Sequence, residues 1–451
     1  MKLALIGGGG VRAPEFVRGA LVFAAPLDLQ EVWLMDTDPA RLEIIVPLCQ
    51  EIMRPARSPF RLFQTASLDE ALRDANIIVT TIRVGGEHGR VIDERVALRH
   101  NVLGQETTGA GGFSMAVRSI PALIDVATQA EALAPKAWTF NFTNPAGLVA
   151  QALHDAGFRQ IVGICDSANT GQREVAHNLG VSIDEVKAEV FGLNHLSWMR
   201  KALVKGVDVL PDLLSDDNFI QATNLRFFDI HLLRRMGMFL NEYLYYYYHR
   251  DEAVKGIQAE HETRGEEVER LNKELFEVLK DCPPDEGLRF YDAYNHHRSS
   301  TYMAYAEPQR SDEKVETQQE HSEHEVGGYA GVALRAALAL TQEHPLRIGL
   351  NVPNQGAIPN MQIDDVVEIT CEVGGRGIRP IPIDPVPEDA YLLMRAVKRY
   401  ERLASRAILN RDRTLAVDSL FAHPLIGSYA LARTLVDEYL EAHKDYVGKW
   451  G

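Results

Sequence analysis

The chain opens with "KLALIGGGGVRAPEF" (2–16): an apolar run, four consecutive glycines at Gly7, Gly8, Gly9 and Gly10, then a helix-forming stretch. Few folds accommodate that order. Glycine reaches backbone angles closed to other residues and leaves the main chain bare, so another group can lie against it. A buried strand that turns through such a loop into a helix places free helix N-terminal amides at a strand end, where anions bind. The segments that follow agree with an α/β fold. "EVWLMDTD", "NIIVTTIR", "AWTFNFTN" and "QIVGICD" read as strands. "PARLEIIVPLCQEIMR", "DEALRDA", "SIPALIDVATQAEALA" and "GLVAQALHDA" read as the helices between them. Strands alternating with helices imply a parallel sheet covered on both faces. Residues 1–167 are therefore expected to form a doubly wound, Rossmann-like domain.

Beyond residue 168 the pattern changes. "EVKAEVFGLNHLSWMRKALV" reads as antiparallel strands, 224–279 as one long helical region, and "RIGLNVPNQGAI" with "DDVVEITCEV" as a strand pair before a helical C-terminus. Residues 168–451 are expected to form a mixed α+β, largely helical domain that carries the substrate and the oligomer contacts. The polar, acidic stretch 307–326 reads as a solvated loop or face.

A formal net charge of −16 argues against a nucleic-acid or anionic-membrane partner, although a local arginine can still bind a small anion. No apolar run approaches the ~20 residues of a membrane span, and no basic leader precedes a long apolar segment. Cys49, Cys165, Cys282 and Cys371 are widely spaced in a large chain, which fits a reduced, cytoplasmic protein.

Gly7 and Gly9 fit the first two positions of G-x-G-x-x-G, and Arg12 stands at the third. Asp36 ends the second strand. A carboxylate there accepts ribose hydroxyls and repels a 2′-phosphate, which favours NAD over NADP. A turn binding nothing, with Asp36 as a helix cap, is the bland alternative.

Further along, Cys165 ends a strand and His195 follows in "FGLNHLSW" with Asn194 beside it. A thiolate and an imidazole suit a borderline divalent metal and leave it open positions for substrate oxygens. Singly, each reads as packing. Asn144 in "NFTNPAG" reads as a polyol contact or a turn residue, and Arg83 as an anion clamp or a surface ion pair. "RVGGEHGRVIDER" and "GQETTGAGGFS" read as ligand-facing loops. Tyr329 opens a helix as a base or as packing, and "YLYYYY" supplies core or oligomer contacts.

Together these stretches, with "NEYLYYYY", "GGYAGVAL" and "NVPNQGAIPN", resemble glycoside hydrolase family 4 almost end to end, and its phospho-sugar branch most closely. The resemblance implies the two-domain layout of lactate and malate dehydrogenases, and a glycosidase dependent on NAD and Mn²⁺ or another divalent metal. NAD⁺ would take hydride from sugar C3. The metal, held by Cys165 and His195, would polarise that oxygen, and Tyr329 would remove the C2 proton. The aglycone would leave, water would add, and the hydride would return. The expected substrate is a small phosphorylated glycoside, a β-linked 6-phosphoglucoside, bound by Arg83, Asn144 and Asn194. Asp166 matches the proposed acid of α-acting members, and Val326 stands where a basic residue is common. A homodimer or homotetramer is expected. A plain NAD dehydrogenase, with His195 relaying a proton, is the competing enzyme reading. A non-catalytic sensor is the other.

Overall fold

The computed structural model describes residues 1–306 and 328–451, so the acidic stretch 307–326 lies outside the described residues. Its strands are β1 Lys2–Ile6, β2 Glu31–Met35, β3 Arg61–Thr65, β4 Ile77–Thr80, β5 Trp138–Asn141 and β6 Ile161–Gly163, then β7 Val186–Leu193, β8 Leu196–Val204, β9 Val207–Asp208, β10 Phe239–Leu240, β11 Leu346–Pro353, β12 Val366–Gly374 and β13 Gly377–Pro380.

Six strands pair in parallel in the order β3-β2-β1-β4-β5-β6, the doubly wound arrangement expected from the N-terminal pattern. In β1, Leu3 and Leu5 pack with Phe16 and Ile45 on one face, while Ala4 and Ile6 pack with Ala71 and Val126 on the other. A strand alternates its side chains, so burial on both faces requires an apolar residue at every position. "LALI" meets that requirement.

The sheet does not stop at β6. β11 joins its edge antiparallel through Asn351 and Gly163, and β12, β7, β8 and β10 continue outward. The loops after β1, β4, β5 and β6 leave the same carboxyl edge of the parallel strands, where open α/β sheets bind ligands. That edge gathers the glycine loop, Arg83, Asn144 and Cys165 in one place.

Three local expectations fail. "RVGGEHGRVIDER" is not a loop throughout, because a helix runs Gly86–Arg99. "GAGGFS" is also helical: the helix Gly109–Leu133 starts well before the expected 119. A Cβ on Gly111 would lie 2.2 Å from the Gln105 carbonyl oxygen. The glycines there admit the preceding loop against the helix instead of breaking it. Finally, 224–279 is not one helix. Separate helices, Ile230–Met236, Arg250–Ala259 and Arg264–Asp281, are interrupted by β10, and Gly237 ends the first at φ +61°.

Candidate active site

Gly7 takes φ +99°, and the Gly7 and Gly8 amides donate to the Met35 carbonyl at 2.9 and 2.8 Å. A Cβ on Gly8 would lie 2.7 Å from Leu34 Cα, so the loop can lie on β2 only as glycine. Asp36 accepts from the Gly9 amide at 3.0 Å and, through its other oxygen, from Asp38 N at 3.1 Å. The carboxylate thus organises the loop as well as facing it. The helix Ala13–Phe23 that follows has no side-chain cap; its Ala13 amide donates to the Gly10 carbonyl at 3.0 Å and Pro14 has no N–H, so the loop itself closes the start of the helix.

At the end of β6, Cys165 Sγ stands 3.3 Å from His195 Nε2, and both residues are buried. His195 lies in the tight turn joining β7 to β8 at φ +59°, a conformation that costs a residue with a Cβ about 1–2 kcal/mol. Two contacts fix its ring. Nδ1 is 2.9 Å from Thr107 Oγ1, and Tyr243 stacks on it at 3.8 Å between centroids, 5° from parallel. Burial lowers the imidazole to about 4, so it stays neutral at physiological pH, and burial raises the Cys165 thiol. A neutral imidazole with one nitrogen hydrogen-bonded and the other facing a thiol matches the way metal-ligating histidines are held. Among the described residues no group of three or more His, Cys, Asp and Glu could hold a metal ion, so this pair would leave coordination positions open. The donor set fits a borderline divalent cation.

Tyr329 is buried on the helix Gly328–Leu340. Its ring stacks on Phe142 at 4.4 Å and on Phe16 at 5.9 Å, and its hydroxyl donates to the Arg12 carbonyl at 3.0 Å. The Arg12 guanidinium lies over both Phe142 and Tyr329. Burial raises the phenol, and Arg12 opposes that rise. Asp166, half-buried, places Oδ1 3.8 Å from Cys165 Sγ.

Arg83 is not free. Its Nη1 pairs with Glu106 at 2.6 Å and its Nε with Glu87 at 3.5 Å. Glu106 also pairs with Arg90 at 3.2 Å, and the two arginines hold its carboxyl well below the usual range. By contrast, Arg12 and Arg298 have no carboxylate partner among the described residues, though each acts on the same cluster: Arg298 on Glu106, Arg12 on Arg298. Asn144 accepts from Ala146 N at 3.3 Å and so serves the start of a helix. Asn194 accepts from Gly147 N at 3.3 Å and donates to the buried Glu368 at 3.2 Å. Burial raises that glutamate to about 7.

Thr107, Tyr243, Glu106, Arg12 and Arg298 belong to this site without having been singled out for it. Thr107 and Glu106 lie in a glycine-rich stretch that signalled a ligand loop, and Tyr243 in an aromatic run that signalled only packing. Tyr245 and Tyr246 are core residues, whereas Tyr243, Tyr247 and Tyr248 are half-buried.

The chain matches the family 4 glycosyl hydrolases over residues 2–181 and their C-terminal domain over residues 190–426. It is 29% identical to a 6-phospho-beta-glucosidase of Escherichia coli, covering 99% of this chain and 96% of that protein. It is 27% identical to a 6-phospho-alpha-glucosidase of Leptotrichia buccalis, covering 99% and 98%. The 6-phospho-beta-glucosidase of Thermotoga maritima, solved with manganese, NAD⁺ and glucose-6-phosphate, superimposes with a TM-score of 0.84 at 28% identity over all of both chains. The fold alone is shared with a malate dehydrogenase of Plasmodium falciparum, at TM-score 0.54 and 14% identity over 91% of this chain and 99% of that one. With both family matches running consecutively along it, the chain is a glycosidase belonging to family 4 of the glycosyl hydrolases.

Proposed function

We propose that this chain hydrolyses glucosides phosphorylated at C6, with preference for the β linkage, as a cytoplasmic homo-oligomer. The observation that carries the reading is the convergence of Cys165 Sγ and His195 Nε2 at 3.3 Å, beside a glycine cradle and a buried tyrosine. Relatives named for 6-phospho-glucosides, and a neighbour solved with manganese, NAD⁺ and glucose-6-phosphate, support it. In this reading residues 1–167 hold the cofactor and, through Arg83, Asn144, Cys165 and Asp166, share the substrate site with residues 168–451.

Bound NAD would supply a hydride acceptor and donor for sugar C3, and Mn²⁺ or another divalent metal would supply Lewis-acid polarisation of the adjoining sugar oxygens. The chain's own groups divide the remaining work. Gly7, Gly8, Gly9 and Gly10 cradle the pyrophosphate, and Asp36 takes the ribose. Cys165 and His195 hold the cation. Tyr329 Oη, once ionised, would take the proton from sugar C2, its ring stacked on Phe142 and Phe16. Asp166 delivers a proton to the departing glycosidic oxygen. Asn144 and Asn194 face the sugar hydroxyls. Arg83, oriented by Glu106, receives the phosphate, with Arg12 and Arg298 adding positive charge.

Asp166 beside Cys165 favours a second reading with α-linked substrates. Both readings meet one experiment: turnover of α- and β-linked aryl glucosides, with and without 6-phosphate, in D₂O with NAD and Mn²⁺. Deuterium at C2 of the product, no accumulated NADH and faster cleavage of the phosphorylated β-glucoside are expected. Product without deuterium sinks the proton abstraction, and net NADH formation sinks the return of the hydride. Faster cleavage of the α-glucoside reverses the linkage.

A further inference from the structure

The loop that carries Arg83 is held from behind by the C-terminus. Arg118, fully buried in the helix Gly109–Leu133, donates through Nε to the carbonyl of Val84, the residue after Arg83, at 3.0 Å. Its other edge grips Asp93 with two bonds of 2.7 Å, and Nη1 also reaches the Ser114 carbonyl at 2.9 Å. Asp93 is fully buried too. Its Oδ1 accepts from Ser114 Oγ at 2.5 Å and lies 2.9 Å from His443 Nε2. An ionised carboxylate has no proton to give, so His443 donates. Tyr439 Oη closes the cluster on the Asp93 carbonyl at 2.9 Å. Glycines at 85 and 89 leave room for the guanidinium, since a Cβ there would meet Arg118 at 3.3 and 3.2 Å. Tyr446 reaches the same loop, 3.6 Å from where a side chain on Gly85 would begin.

Asp93 and Glu94 are neighbours on the helix Gly86–Arg99 but face different clusters. Asp93 turns to the C-terminal residues. Glu94 pairs with Arg90, which pairs with Glu106, which pairs with Arg83. The helix therefore joins residues 439–446 to Arg83 along two routes, through Val84 and through Glu106. Residues 439–446 lie beyond the family match, which ends at 426.

We propose that His443 is a positioning residue for substrate binding: the C-terminal segment acts as a latch that, through Asp93 and Arg118, fixes the Val84 carbonyl and so aims Arg83 at the phosphate. The inference rests on the reading that Arg83 meets the sugar phosphate. A buried pair held by several hydrogen bonds is stiff, and losing one donor lets the remaining members re-pair. The loop then relaxes while the Cys165–His195 pair, held at the ends of other strands, stays in place.

The test compares the full chain with His443→Leu, His443→Gln and Tyr439→Phe on an aryl β-glucoside 6-phosphate, reading KM, kcat, NAD affinity and melting temperature. His443→Leu is expected to raise KM about tenfold with kcat little changed and NAD affinity intact. Gln keeps a donor near the Nε2 position and is expected to restore most of the KM. Unmoved KM with only a lower melting temperature, or a fall in kcat at constant KM, overturns the latch, since those are the marks of a merely structural role. If His443→Leu does not fold, Tyr439→Phe decides: a smaller KM rise supports the latch and an unchanged KM overturns it. A wild-type enzyme indifferent to the phosphate overturns the underlying reading and the latch's substrate role together. Phosphate preference in the wild type with unmoved KM in the variants overturns the latch alone.

Discussion

The glycine cradle and the Cys165–His195 centre lie at one edge of one sheet, yet they are built on opposite plans. The cradle is contiguous: residues 7–10 are held by the Met35 carbonyl and Asp36, mostly through backbone atoms. The centre draws single side chains from residues 107, 165, 195, 243 and 329, each placed by a different element. Backbone recognition tolerates change at side chains apart from the glycine positions and Asp36. A side-chain constellation does not. Damage to the centre should therefore spare the cradle, and damage to the cradle should spare the centre.

Tyr329→Phe makes the sharpest separation. It should lower turnover about 10²- to 10⁴-fold, the usual worth of a positioned base, with NAD affinity unchanged. Parallel activity and cofactor-binding assays check this, and a matching loss of NAD affinity would break the distinction. Asp36→Ala tests the other side. Losing hydrogen bonds to a charged acceptor, about 1.5–3 kcal/mol, should weaken NAD roughly 10- to 100-fold and leave Mn²⁺ affinity alone by calorimetry. Thr107→Val removes the hydroxyl that orients His195 and should weaken Mn²⁺ about 10- to 100-fold, with NAD untouched.

The smallest effect concerns stability. Burial raises Glu242, the residue before the tyrosine that stacks on His195, from 4.5 to about 7. A carboxyl whose folded pKa is raised favours the protonated folded state. Its contribution is complete below about pH 4.5 and is lost as pH rises to about 7. Glu242→Gln should flatten that part of the stability–pH curve in urea titrations. An unchanged slope would mean that the carboxyl is hydrated and the pocket around the centre is wetter than its burial implies.

The two plans also decide what could be read from the amino acids alone. The cradle was legible because its cause is local: apolar strand, glycines, then a carboxylate at the next strand end. Cys165, His195 and Tyr329 each read weakly alone, and only their joint resemblance to a known family gave them roles. Tyr243 stacking on His195 was illegible, since nothing local distinguishes it from the buried tyrosines beside it. "GAGGFS" misled because glycine counts as a helix breaker on propensity, whereas here the packing of Gln105 against the helix outweighs that cost. β3 was missed because "RLFQT" lies at the sheet edge with only Thr65 buried, so it lacks the continuous apolar run of its neighbours. The latch joins residues about 350 positions apart, a separation that no local pattern encodes.

The β6–β11 pairing, from Asn351 to Gly163, has a mechanical consequence. Many enzymes built from a cofactor half and a substrate half open along the seam between them and swap both occupants each cycle. Here main-chain pairing joins the antiparallel strands to the parallel ones two residues before Cys165, so the two parts of the sheet are stitched beside the candidate site. Gaping at that point would tear the sheet. Traffic is left to the loops at its edge, and under the proposed mechanism a borrowed electron pair would be repaid before those loops release the sugar.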